Sequence, residues 1–169
     1  MIFVTVGTHE QPFDRLIQYV DQLKKEKVIE EDIVMQTGFG AYRPCCCTWS
    51  RFFSYPEMIK YVEKSRIVIT HGGPSSFIMP LQIGKIPIVV PRQKQFGEHV
   101  NDHQVDFVQA VEKRQKNIIV VEKIEELKDV ILNYESVVSM SQGQLKSNNA
   151  YFNQRLAEIV EELLHEKQR

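Results

Sequence analysis

Short apolar runs alternate along this chain with stretches whose apolar residues recur every three or four positions. The runs are Ile2 to Val6, Ile33 to Gln36, Ile67 to Ile69 and Ile86 to Val90, and small polar residues or glycines end most of them. A strand that is apolar on nearly every residue is buried on both faces, and strands separated by amphipathic helices pair in parallel. The pattern therefore predicts an α/β fold, a Rossmann-like doubly wound parallel sheet with helices on both sides.

The intervening stretches supply those helices. Phe13, Leu16, Ile17, Val20 and Leu23 share one face of the first. Ser54 and Glu57 form a capping-box pair that opens a second helix through Met58, Ile59 and Val62, ending at Ser65. A third helix follows Ser75, but Pro80 lies inside it, removes a backbone donor and should kink or shorten it. Further on, Val100 to Val111 reads as helix and Asn117 to Val121 as strand, and Ile124, Leu127, Val130 and Ile131 form the stripe of another helix. Trp49 to Phe53 offers a short additional strand. A long helix at about 144–166 carries Phe152, Leu156, Ile159, Val160 and Leu163 on one side, to cover the sheet or dock on a partner. No linker or repeat interrupts residues 1–169, which read as one domain.

The composition narrows the function. With 21 basic and 22 acidic residues and no basic stripe with interleaved aromatics, a nucleic-acid partner is not expected. The first residues read as a strand rather than a signal peptide, and no stretch approaches the roughly 18 apolar residues of a membrane span. A cytoplasmic protein is expected, with any membrane attachment made through a partner.

Right-handed crossovers bring the loops after Val6, Gln36, Thr70 and Val90 to one edge of the sheet. Those loops hold Gly7, Thr8 and His9; Gly38 to Gly40; His71, Gly72, Gly73, Pro74, Ser75 and Ser76; and Arg92, Lys94 and Gln95. Gly72 and Gly73 let backbone amides approach a ligand closely, and Ser75 and Ser76 lie where a helix begins, so a phosphate or diphosphate is the natural occupant. A tight turn would have the same composition. The second glycine turn at Gly7, with Arg92 and Lys94, favours the anion site. No GxxxxGK[ST] or GxGxxG pattern occurs, which sets ATP and nicotinamide cofactors behind a nucleoside diphosphate.

Four of the five histidines, His9, His71, His99 and His103, fall in these loops or at the start of the next helix. His99 and His103 have the spacing of paired metal ligands, but their surroundings do not match HExxH, and no metal is expected. Asn101, His103 and Gln104 would instead contact a sugar or ribose. His9 and His71 read equally as turn residues bonded to backbone and as ligand contacts. Cys45, Cys46 and Cys47 are consecutive, and alternation along a strand would separate their sulfurs, so they read as local packing, with a redox or metal role as the alternative that would want a second ligand cluster the sequence does not offer.

The order and spacing of these motifs resemble the C-terminal, donor-binding half of GT-B glycosyltransferases. The resemblance rests on Val4 to Thr8, Gln36 to Gly38, Ile69 to Ser76, Gly84 to Arg92 and Phe96 to Gln104, including Phe96, Glu98, Asn101, His103 and Gln104. It is strongest for short bacterial capsule and exopolysaccharide subunits, which are similar to the catalytic subunit of the two-chain N-acetylglucosaminyltransferase of dolichol-linked oligosaccharide synthesis. It implies a UDP-sugar as donor substrate and no cofactor. The diphosphate would lie near Gly7, Thr8, Gly72, Gly73 and Ser75, the uridine near the helix after Gly73 and the loop after Val90, and the sugar near His103 and Gln104. Arg92 or Lys94 would help hold the leaving group.

The same resemblance implies a missing half: a membrane-anchored subunit that binds a lipid-linked sugar acceptor, recruits this chain to the inner face of the membrane and provides the base. Within this chain His9 is the one candidate base. A homodimer in isolation is compatible with the same reading. Larger relatives carry a ribose-holding glutamate where this chain has Met79, which leaves the ribose to Gln82 or Gln104. That departure keeps an alternative open, a non-enzymatic nucleotide-sugar-binding subunit that activates a partner transferase.

Overall fold

A computed structural model describes residues 1–141; the helix expected at about 144–166 lies outside them. Six strands, β1 (Ile2–Thr5), β2 (Ile33–Gln36), β3 (Thr48–Ser50), β4 (Ile67–His71), β5 (Ile88–Val90) and β6 (Ile119–Val120), form one sheet in the order β3-β2-β1-β4-β5-β6. Every pairing is parallel, with Val4 beside both Met35 and Ile69. The expected doubly wound α/β fold is therefore present.

Alternation along the strands divides the core between two faces. Ile2, Val4 and Val6 point to one side and pack with Leu16 and Val20 of α1 (Asp14–Lys25), Leu127 and Ile131 of α5 (Leu127–Leu132) and Tyr134 of α6 (Tyr134–Met140). Phe3, Val68 and Val89 point to the other, toward Val62 of α2 (Tyr55–Lys64), Phe77 of α3 (Pro74–Gln82) and Val108 of α4 (His103–Gln115). Each fully buried Val, Ile or Leu contributes about 1.5–3 kcal/mol, and a charge at Val4, 0% exposed at the sheet centre, would break the fold.

Local chemistry sets the ends. The Glu57 carboxylate takes both the N–H (2.8 Å) and the hydroxyl (2.6 Å) of Ser54, which starts α2 as expected. Helix α3 stops two residues after Pro80, in a turn closed by Lys85 N–H onto the Pro80 carbonyl at 3.0 Å. The third strand is shorter than Trp49 to Phe53 because Phe53 N–H turns to Gln36 Oε1 (3.2 Å) instead of a neighbouring strand. Helix α4 begins at His103 rather than Val100, since the residues before it bond among themselves. Cys45 to Cys47 are not strand: they bend around Asp21 of α1, so side-chain alternation does not apply to them. Among the described residues no helix is long and apolar enough to cross a membrane.

Candidate functional site

The chain leaves β1 toward β2 and β4 toward β5, so the loops after β1 and β4 part and leave a gap at the carboxyl edge of the sheet. A crevice of about 920 Å³ occupies it. Its floor is Thr5, Gln36 and His71; Gly7, Thr8, His9 and Glu10 form one wall, and Ser75, Ser76, Met79 and Gln82 of α3 the other. Phe53, Tyr55 and Met58 close the side next to β2.

His71 joins the two walls. A β-carbon on Gly7 or on Gly73 would overlap its imidazole ring, so both turns close against that ring because they lack one. Gly7 also adopts φ 73°, a left-handed conformation that suits glycine. His71 is 8% exposed. Burial, reinforced by the positive charge of Arg92, pulls its pKa down to about 4, so the ring is neutral at pH 7. Its Nδ1 is buried without a partner of good hydrogen-bond geometry, although the Thr5 backbone lies close enough to favour the protonated form slightly.

No side chain caps α3: Gly73 stands at the N-cap and Pro74 at the first helical position. Ser75 and Ser76 occupy the first turn and face the crevice. The positive end of the helix dipole is thus directed at the space above Gly7 and Thr8.

Arg92 is placed otherwise than its sequence suggests. It is 1% exposed, and its guanidinium donates to the carbonyls of Gln11 (2.7 Å), Pro12 (3.2 Å), Glu98 (3.2 Å) and Val6 (2.9 Å). Three of these bonds hold the loop after β1 and the fourth holds the loop after β5, so the guanidinium is committed to the frame and does not line the crevice where a diphosphate contact was expected. Burial lowers its pKa to about 10, which leaves it charged, and that charge acts on His71 and His9 from below. Glu98 is likewise internal at 3% exposed. Its carboxylate accepts Arg15 Nε (2.8 Å), Arg15 Nη2 (3.0 Å) and the Gln93 N–H (3.0 Å), so it serves the frame rather than a ligand.

Gln104 ties two loops together. Its Oε1 accepts the N–H of Gly72 (3.1 Å) and of Arg92 (3.2 Å), an orientation fixed by the fact that both partners can only donate. Gly72 is consequently buried, with its amide directed away from the crevice. Phe96 is exposed beneath the Arg15 guanidinium (4.6 Å), and Asn101 Oδ1 accepts His103 N–H at 3.3 Å. Phe96, Asn101 and His103 do not line the crevice, which opens toward β2 rather than β5.

His9 is exposed at the crevice rim with its ring 5.1 Å from that of His99. The N–H of Gln11 donates to His9 Nδ1 at 3.2 Å, so the proton of the neutral ring sits on Nε2. Desolvation, then Arg92 and His99, lower its pKa. In this conformation His9 offers a donor, not a base.

Thr5, Glu10, Gln36 and Tyr55 line the crevice as well, beyond the residues expected there from the sequence. Gln36 carried a signal, an amide inside an otherwise apolar strand; its Nε2 donates to Thr5 Oγ1 (3.2 Å) and Gly7 O (3.4 Å).

Residues 1–163 match the family described as glycosyltransferase family 28 C-terminal domain. A curated relative, the UDP-N-acetylglucosamine transferase subunit ALG13 of Homo sapiens, is 31% identical over 121 residues, which is 66% of this chain and 10% of that protein. Among solved structures, the glycosyltransferase SnogD from Streptomyces nogalater overlaps 92% of this chain and 43% of its own, at 16% identity and a TM-score of 0.46.

Proposed function

The chain belongs to the glycosyltransferase family 28 C-terminal domain family, and on that premise we propose that it is the donor-binding, catalytic subunit of a two-chain hexosyltransferase. Its donor is a UDP-sugar and its acceptor a lipid-diphosphate-linked sugar of exopolysaccharide or capsule assembly. A membrane-anchored partner brings the acceptor and draws this chain from the cytoplasm to the membrane. The observation that carries the reading is the meeting of the Gly7-Thr8 turn and the uncapped start of α3 across His71, above the buried charge of Arg92.

In this reading the diphosphate spans Gly7, Thr8 and the first turn of α3, and the ribose runs along α3 past Met79 and Gln82. Charge developing on the departing UDP is met by the α3 amides, the Ser75 hydroxyl and His9 Nε2–H, each preorganised donor being worth about 3–4 kcal/mol in comparable sites. No metal is needed. With His9 Nδ1 committed to Gln11, the base that deprotonates the acceptor hydroxyl comes from the partner.

Calorimetric titration of the purified chain with UDP tests the donor site, with binding expected and silence at millimolar UDP overturning the reading. A second reading, a binding subunit that activates its partner without catalysing, draws on Met79 lining the crevice where larger relatives hold the ribose with glutamate. Co-expression with the partner separates the two: Ser75→Ala should slow transfer of labelled hexose in the first case and leave it unchanged in the second.

A further inference from the structure

The connection between β2 and β3 runs back along α1 and is fastened there by two carboxylates seven residues apart, on one face of the helix. Asp14 accepts the N–H of Ala41 (3.1 Å) and Tyr42 (3.3 Å). Asp21 accepts the N–H of Cys45 (2.9 Å) and Cys46 (2.9 Å) and the hydroxyl of Tyr42 (2.8 Å). The bend around Asp21 turns two adjacent sulfurs to the same side. Cys45 and Cys46 Sγ lie 3.4 Å apart, and Cys45 Sγ lies 3.4 Å from Asp21 Oδ2.

We propose that Cys45, Cys46 and the buried Asp21 carboxylate form a binding site for a thiophilic divalent cation, with zinc as the physiological candidate. Their ligand atoms all fall within 4.8 Å of one another. Zinc with Zn–S of about 2.3 Å and tetrahedral angles separates two sulfurs by about 3.8 Å, so the pair needs to open by only a few tenths of an ångström. Asp21 is 1% exposed, and among the described residues it has no ion pair. A buried carboxylate is ordinarily answered by a cation.

Cys45 is exposed and Cys46 partly so, which gives the ion a path of entry and leaves its fourth position to water. Binding expels both thiol protons to water and places two thiolates and one carboxylate around the ion, for a net charge of −1. The repulsion between thiolates and carboxylate is relieved only with the cation between them. The ion would lock the 37–47 connection onto α1 at the sheet edge opposite the crevice. The site does not depend on the proposed donor chemistry.

The test is anaerobic titration of the full-length chain with Co²⁺ in the presence of a phosphine reductant. A thiolate-to-cobalt charge-transfer band is expected, saturating at one ion per chain and displaced by Zn²⁺, with two thiols protected from a disulfide reagent. The exposed-site variant Cys45→Ser/Cys46→Ser should fold and lose the band. Asp21→Asn, checked for folding by circular dichroism, should weaken binding roughly tenfold or more. No band at millimolar Co²⁺, or a band that survives the double serine variant, overturns the proposal. So does a Cys45–Cys46 disulfide, formed by exchange with a small-molecule disulfide, in a chain that binds no cobalt once reduced; the pair would then be a redox dithiol.

Discussion

The imidazole of His71 fills the space that a β-carbon on Gly73 would occupy. Gly73 itself has ordinary extended backbone angles (φ −77°, ψ 129°), so only the ring forbids a side chain there. Gly73→Ala should therefore cost about 1–3 kcal/mol of stability, and in a His71→Ala background that cost should shrink to within about 0.5 kcal/mol of zero. Gly7, at φ 73°, differs: relief of the overlap leaves the left-handed strain, so Gly7→Ala should still cost about 1 kcal/mol beside His71→Ala. Urea unfolding of the single and double variants measures both, and an undiminished Gly73→Ala cost would show that the ring is not the obstacle.

Burial of the neutral His71 ring makes stability depend on acid. The unfolded chain takes up this proton near pH 6.5 and the folded chain only near pH 4, so the unfolded state binds more protons between those values. The contribution is intact above pH 6.5, declines as the pH falls through the window and levels off below pH 4. The total is about 3 kcal/mol. His71→Asn should flatten the slope of unfolding free energy against pH in that window; equal slopes in variant and parent would place the acid sensitivity elsewhere.

The parallel strands and the two glycine turns were legible because they depend on local pattern: apolar runs ended by Gly7 or followed by Gly72 and Gly73, with helical periodicity between them. The role of Arg92 was not. A cation in a loop after a strand reads as a ligand contact, and nothing near it in sequence reveals that Val6, Gln11 and Pro12 will deliver carbonyls to it. Nor does the local sequence show where the Glu98 carboxylate goes, since its partner Arg15 lies on α1. Cys45 to Cys47 were treated as strand because the backbone amides that bend toward Asp21 carry no sequence signature.

Arg92 gives a prediction that separates frame from ligand. Arg92→Lys keeps the charge but cannot reach four carbonyls, so it should lower stability by about 2–4 kcal/mol. UDP affinity should fall only as far as the Gly7 to Pro12 loop loosens. Thermal unfolding with and without UDP distinguishes this from direct contact, for which affinity would drop while stability held.

Gln104 acts through one oxygen. Gln104→Glu preserves that acceptor and should stay within about 1 kcal/mol of the parent, whereas Gln104→Leu strands the amides of Gly72 and Arg92 and should cost about 1–3 kcal/mol. Comparable losses in both variants, read by urea midpoint, would mean that packing rather than the two hydrogen bonds sets the effect.

Met79 lies on the α3 wall of the crevice, one turn beyond Ser75. If the ribose of the proposed donor runs along this wall, a carboxylate there would accept its hydroxyls, and hydrogen bonds to charged groups are worth about 1.5–3 kcal/mol. Part of that gain is offset, because Met79 also packs against the Phe3 and Val68 cluster. Met79→Glu should therefore tighten UDP by roughly tenfold, and it should do so less for a 2′,3′-dideoxy analogue that lacks the hydroxyls. Calorimetry with both ligands measures the difference. Equal effects on the two ligands would move the ribose away from α3 and leave the diphosphate assignment standing on Gly7, Thr8 and Ser75 alone.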